Sequence, residues 1–122
     1  ALTGGCKHLR TITLNECFQV AKVSLQAIGT NLAKLESLSM AHCRNVTVEG
    51  LVSVAHGCPS LLSLDLSWCG DGISDLALAE FGRKCRSLKH LNLSHSSGFG
   101  SHGILAVCAH CKCLSRLNLS GC

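Results

Sequence analysis

Tyrosine is absent from these 122 residues, tryptophan and proline occur once each, and phenylalanine occurs three times. With so few aromatics, aliphatic side chains and cysteine must fill any interior; the hydrophobic types together make up 47% of the chain. No Pro/Gly-rich linker or low-complexity tract divides the sequence, and its length suits one domain with a real core. No uninterrupted apolar run approaches the roughly 20 residues that a membrane span needs, and no signal or transit segment is visible. Acidic residues are scarce, seven against eleven basic ones, for a formal charge of +4. That excess is too mild and too scattered to suggest nucleic acid as a partner. The densest basic run, Arg83, Lys84, Arg86 and Lys89, reads as a solvated loop at a helix end, with an acidic partner surface as the alternative.

What the chain does have is a period. LLSLDLSWC (Leu61–Cys69) places Leu61, Leu64, Leu66 and Cys69 at offsets 0, 3, 5 and 8. LRTITLNEC (Leu9–Cys17), LESLSMAHC (Leu35–Cys43), LKHLNLSHS (Leu88–Ser96) and LSRLNLSGC (Leu114–Cys122) repeat it, with spacings of 26, 26, 27 and 26 residues. A fixed period of this size is the mark of a solenoid. The expected units are a partial repeat at 1–8, full repeats at 9–34, 35–60, 61–87 and 88–113, and the start of a fifth at 114–122. Leu2 and Cys6 match Val54 and Cys58, so the chain reads as a fragment of a longer array, with neighbouring repeats or subunits covering its open ends.

Ten cysteines would ordinarily suggest a disulfide scaffold, but the repeat argues otherwise. Cys17, Cys43, Cys69 and Cys122 share one repeat position, and Cys6, Cys58, Cys85 and Cys111 share another. Ser96 stands at the first position in repeat four and Leu32 at the second in repeat one; neither exchange suits a bonded pair. These residues should stack along the axis as small buried hydrophobes. Free thiols at this density imply an intracellular, reducing compartment, cytoplasm or nucleus, with a cilium as a further possibility.

Within each unit a short strand should turn its leucines inward and a helix should follow. Ile12 and Leu14 point inward in repeat one, whose helix is expected around Val23–Ile28 with Leu25 and Ile28 one turn apart. Pro59 fits a helix stop in repeat two. Repeat three takes its extra residue in Gly70-Asp71-Gly72, a natural turn, before a helix at Asp75–Gly82 that buries Leu78 and Phe81. Phe99 replaces the usual Val or Ile in repeat four. One unit cannot bury its apolar face alone, so stacking is obligatory.

The consensus is L-x-x-L-x-L-x-x-C, then [IV]-[TS]-[DV]-x-[GA]-L, then a short helix closing on Cys-x-x-Leu, with VTVEGL (Val46–Leu51) and ISDLAL (Ile73–Leu78) as clear second halves. This resembles the cysteine-containing leucine-rich repeats of F-box/LRR proteins along the whole chain. The resemblance implies an α/β leucine-rich-repeat solenoid, a right-handed arc with parallel strands on the concave face and helices on the convex face. It implies a non-catalytic module that recognises a protein partner, as the substrate-binding region of an F-box-type SCF ubiquitin ligase receptor. A Skp-type adaptor would then be recruited through an F-box that these residues lack. The alternative is a structural subunit built into an axonemal or organellar assembly, where related repeats also occur.

In such a fold the non-leucine strand positions line the concave face, which singles out Glu16, His42, Asp65, Trp68, His90, Asn92, His95 and Arg116. Trp68 should lie at the exposed end of its strand between His42 and His95. It is either a binding hot spot or a lid packed over the cysteine turn and neighbouring loops. Cys108-Ala-His110-Cys111-Lys-Cys113, with His102 nearby, offers one Cys-x-x-Cys arm and no second, so no metal is expected. The remaining cysteines are explained by register, and buried structural thiols are inert. Gly70-Asp71-Gly72 and Gly98-Phe99-Gly100 lack the residues of a phosphate loop, and RNA would need stacking platforms that one Trp does not supply. The sequence therefore predicts no catalytic site, no cofactor, no nucleic acid and no membrane span.

Overall fold

The computed structural model describes residues 7–17 and 22–122. The match of Leu2 and Cys6 to a preceding repeat lies outside them. Strands and helices alternate: β1 (Thr11–Thr13), α1 (Lys22–Asn31), β2 (Ser37–Ser39), α2 (Val48–Gly57), β3 (Ser63–Asp65), α3 (Asp75–Lys84), β4 (His90–Asn92), α4 (Ser101–His110) and β5 (Arg116–Asn118). The five strands form one parallel sheet in chain order. Leu38 pairs with Leu64, Leu64 with Leu91 and Leu91 with Leu117. The sheet register thus follows the spacing of the leucines. The chain is an α/β solenoid with strands on one face and helices on the other.

Three-residue strands have no independent stability. They persist because Ile12, Leu38, Leu64 and Leu91 point into a core closed from the other side by Leu25, Ile28, Leu51, Val54, Leu78 and Phe81. Each such leucine contributes about 1.5–3 kcal/mol through burial. Leu14 is only half-buried. Helices α1 and α3 extend beyond their expected ends, to Asn31 and Lys84. In α3 the added turn is held by the Cys85 N–H, which donates to Phe81 O at 2.8 Å. Phe99 packs half-buried against the core in the place taken by Val46 and Ile73.

Glycine sets the helix spacing. A Cβ on Gly57 would stand 1.7 Å from the Gly29 carbonyl oxygen, and one on Gly29 2.2 Å from that of Ser53. Backbone therefore meets backbone between α1 and α2.

Of the register cysteines, Cys43, Cys58, Cys69, Cys85 and Cys111 are buried as expected, whereas Cys17 and Cys122, in the outermost described repeats, are half-buried and exposed, and Cys6 lies outside the described residues. Cys43, Cys58, Cys69 and Cys85 are fully buried, and the nine cysteines among the described residues are all free thiols. The Sγ of Cys43 donates to Leu14 O at 2.8 Å, that of Cys69 to Met40 O at 3.0 Å, and that of Cys122 to Leu93 O at 3.0 Å. At the second position Cys58 donates to Leu32 O, Cys85 to Cys58 O and Cys111 to Cys85 O, each at 3.3 Å. Every one of these bonds joins a repeat to the one before it.

Candidate functional site

At the end of each strand the chain must turn toward the helix layer, and the turn places one side chain on the rim of the strand face. Glu16, His42, Trp68 and His95 occupy that position with φ of 61°, 64°, 57° and 56°, and Gly121 occupies it with φ of 74°. Left-handed backbone costs an L-residue about 1–2 kcal/mol and is an outlier for a bulky one. The sheet imposes it. Each of these N–H groups donates to a carbonyl of the following repeat: Glu16 to Ala41, His42 to Ser67, Trp68 to Ser94 and His95 to Ser120, at 2.8–2.9 Å.

The shared backbone geometry stacks the side chains. Trp68 lies between His42 and His95, with ring centroids 5.5 and 4.1 Å away and interplanar angles of 7° and 15°. Both indole faces are thus covered, while Trp68 remains 41% exposed. What it offers solvent is an edge, held rigid by its neighbours. Glu16 begins the same row.

Asp65 and Asn92 end their strands and hold the turns. The Oδ1 of Asp65 accepts from the Ser67 N–H at 2.9 Å and the Ser67 hydroxyl at 2.7 Å. The Oδ1 of Asn92 accepts from the Ser94 N–H, and that of Asn118 from the Ser120 N–H, both at 3.0 Å. Repeat two has Ser39 there instead, and Asn15 of the preceding repeat reaches across to accept from Ser39 Oγ and Ala41 N–H. One oxygen of each predicted site residue Asp65 and Asn92 is therefore committed to the fold.

His90 and Arg116 are cross-strand partners at the start of β4 and β5, both exposed. With Asp65, Asn92, Ser63 and Asn118 they line a groove of about 760 Å³ on the strand face. The eight predicted residues therefore fall into two groups. Asp65, His90, Asn92 and Arg116 line the groove, whereas Glu16, His42, Trp68 and His95 form the turn row, outside its lining.

The Leucine Rich repeat family model matches residues 31–55, 57–80 and 84–108. The chain belongs to the leucine-rich-repeat family. Its repeats are the cysteine-containing kind found in F-box/LRR proteins. It is similar to F-box/LRR-repeat protein 4 of Bos taurus, 34% identical over 88 residues, covering 70% of this chain and 14% of that protein. It is also similar to F-box protein SKIP1 of Arabidopsis thaliana, 22% identical over 134 aligned positions, covering 96% of this chain and 44% of that protein. F-box/LRR-repeat protein 12 of Arabidopsis thaliana is 31% identical over 87 residues, covering 71% and 22%. The chain thus spans less than half the length of each of these relatives. In structure it resembles the Caenorhabditis elegans tropomodulin C-terminal domain, with a TM-score of 0.68 and 18% identity, covering 98% of this chain and 78% of that one.

In these leucine-rich repeats the buried thiols are poor nucleophiles. Burial pushes Cys58 and Cys69 up to about 11 and Cys85 up to about 12, and raises Cys43 and Cys111 as well. A thiol that stays protonated does not attack or ligate. Cys108 and Cys113 are exposed while Cys111 between them is buried. Among the described residues no group of three or more His, Cys, Asp or Glu is placed to hold a metal ion. No helix of the described residues is long and apolar enough to cross a membrane.

Sequence reasoning missed two features. The left-handed turn position was signalled only by Gly121, the one residue there that suits such a backbone. The buried Glu80 was not singled out at all. It accepts from His56 Nε2 of α2 at 2.6 Å and pairs with Arg83 of its own helix. Those two hydrogen bonds, His56 first, hold its carboxyl below the ordinary carboxylate value.

Proposed function

We propose that this leucine-rich-repeat segment is a non-catalytic protein-recognition module, and that it forms the substrate-binding region of an F-box-type ubiquitin ligase receptor. The observation that carries the reading is the strand face. Its turns satisfy their own backbone groups, which leaves a preorganised groove ringed by His90, Arg116 and the free oxygen of Asp65, with the rigid Trp68 edge on the rim. An open polar groove with a rigid aromatic beside it suits a protein surface better than an enclosed small ligand. Similarity to proteins named as F-box and F-box/LRR proteins supports the ligase role, in which a Skp-type adaptor binds elsewhere and other subunits perform ubiquitin chemistry. The free buried thiols fit a reducing, intracellular compartment.

Mass spectrometry of material co-purifying with the native protein tests this. A Skp-type adaptor and cullin should be recovered together with a substrate, and Trp68→Asn, which tolerates the left-handed backbone, should weaken substrate recovery about tenfold. A fixed set of stoichiometric structural subunits without ligase components would overturn the receptor role. Undiminished recovery by folded Trp68→Asn protein would remove Trp68 from the binding surface.

A further inference from the structure

Parallel strands joined by helices force every helix to run back against its strands. All four helix C-termini therefore lie at the edge where the strands start, and all four N-termini lie at the edge where they end. The charges divide along the same line. On the strand-start edge Lys7, Lys34, Arg86 and Lys112 occupy the loops before the strands, Arg83 and Lys84 close α3, Arg10 and Lys89 immediately precede β1 and β4, and Arg116 begins β5. Nine of the eleven Lys and Arg thus share one edge with only two acids, Glu36 and Glu80, for a formal +7. Among the described side chains the opposite edge carries Arg44 against Glu16, Glu49, Asp65, Asp71 and Asp75, a formal −4.

Both acids of the basic edge are already paired, Glu36 with Arg10 at 3.7 Å and Glu80 with Arg83 and His56. Among the described residues the other seven cations of this edge have no carboxylate partner, and all seven are exposed. Stacking sets equivalent loop positions side by side, as where Lys34 Nζ lies 3.2 Å from His8 Nδ1 of the preceding repeat. Compensation of the helix dipoles accounts for part of this charge only. Four helix C-termini supply about half a negative charge each, roughly −2 in all, against +7.

We propose that this edge is a docking surface for an acidic polypeptide segment, distinct from the strand-face groove, which it meets at Arg116. Strands stack about 4.8 Å apart and helices about 8–10 Å apart, so the row spans on the order of 20–30 Å. An extended chain rising about 3.3 Å per residue covers it with roughly six to nine residues. Single-stranded nucleic acid fits less well, because it wants aromatic platforms beside the cations. Trp68 sits on the other edge with both faces taken, and Phe81 is fully buried.

The test is fluorescence anisotropy with three labelled probes: a nine-residue Asp/Glu peptide, its Asn/Gln counterpart and a nine-nucleotide single-stranded DNA. The acidic peptide should bind at about 50 mM salt and weaken at least fivefold at about 300 mM. The variant Lys84→Glu/Lys112→Glu, at two exposed positions, should weaken it about tenfold. Arg44→Glu on the opposite edge should change it less than about twofold. No binding of the acidic peptide at low salt would overturn the proposal, as would equal binding of its neutral counterpart. An equal loss in Arg44→Glu would reduce the effect to net charge, and tighter binding of the DNA would assign the edge to nucleic acid; either also overturns it.

Discussion

Residue 96 carries a hydroxyl where the four other repeats carry a thiol, and the exchange has a physical use. The Ser96 Oγ accepts from the Cys69 N–H at 2.9 Å and donates to Leu66 O at 2.6 Å. It thus replaces the S–H···O bond that Cys43, Cys69 and Cys122 make to the repeat before them, and it also closes the turn at Cys69. Ser96 is 2% exposed, so no water can take over. Ser96→Ala should cost about 1–3 kcal/mol, because a buried N–H and carbonyl lose their partner. Ser96→Cys, which restores a donor, should cost less. Urea denaturation of the two variants measures the difference; equal losses would mean that volume and not hydrogen bonding decides this position.

At the scale of elements, the helices differ in how their first turns are capped. Thr47 caps α2 by accepting from the Gly50 N–H, and Ser74 caps α3 by accepting from that of Ala77. Helix α4 has Gly100 at its N-cap, which has no side chain to do so. The carboxylate of Asp75, the first residue of α3, accepts instead from the N–H groups of Gly100 at 2.8 Å and Gly103 at 3.0 Å. A cap supplied by the preceding repeat makes the two helices depend on each other. Asp75→Ala should cost about 1 kcal/mol and should speed amide hydrogen exchange in the first turn of α4 more than in α2. Uniform exchange through all helices would mean that the contact does not cap α4.

For the whole molecule, the thiol ladder couples stability to alkaline pH. An unfolded thiol ionises near 9, whereas Cys58 and Cys69 ionise at about 11 and Cys85 at about 12 in the fold, burial being the main cause. Between these values the unfolded chain releases protons that the native state keeps, so stability falls as pH rises. The contribution is fully present below pH 9 and lost as pH climbs through 11–12. The absence of tyrosine removes phenol ionisation from the same range. Urea midpoints measured from about pH 8 to about pH 10.5 should decline steadily, and Cys58→Ala should flatten the decline. A level profile would mean that the thiols are not buried together as described.

The sequence by itself determined the repeat, the sheet register and the inward leucines, because a short-range period leaves one way to bury every apolar position. It likewise determined the buried cysteines, since register outweighs count. The side-by-side placement of His42, Trp68 and His95 was legible for the same reason. Their left-handed backbone was not, because four of the five residues at that position are types that disfavour it and only the inter-repeat hydrogen bonds impose it. The split of the site residues into groove and rim, the cap that Asp75 gives α4, and the gathering of cations on one edge were also decided by tertiary structure. Each arises from residues about 26 positions apart, brought into contact only when the repeats stack.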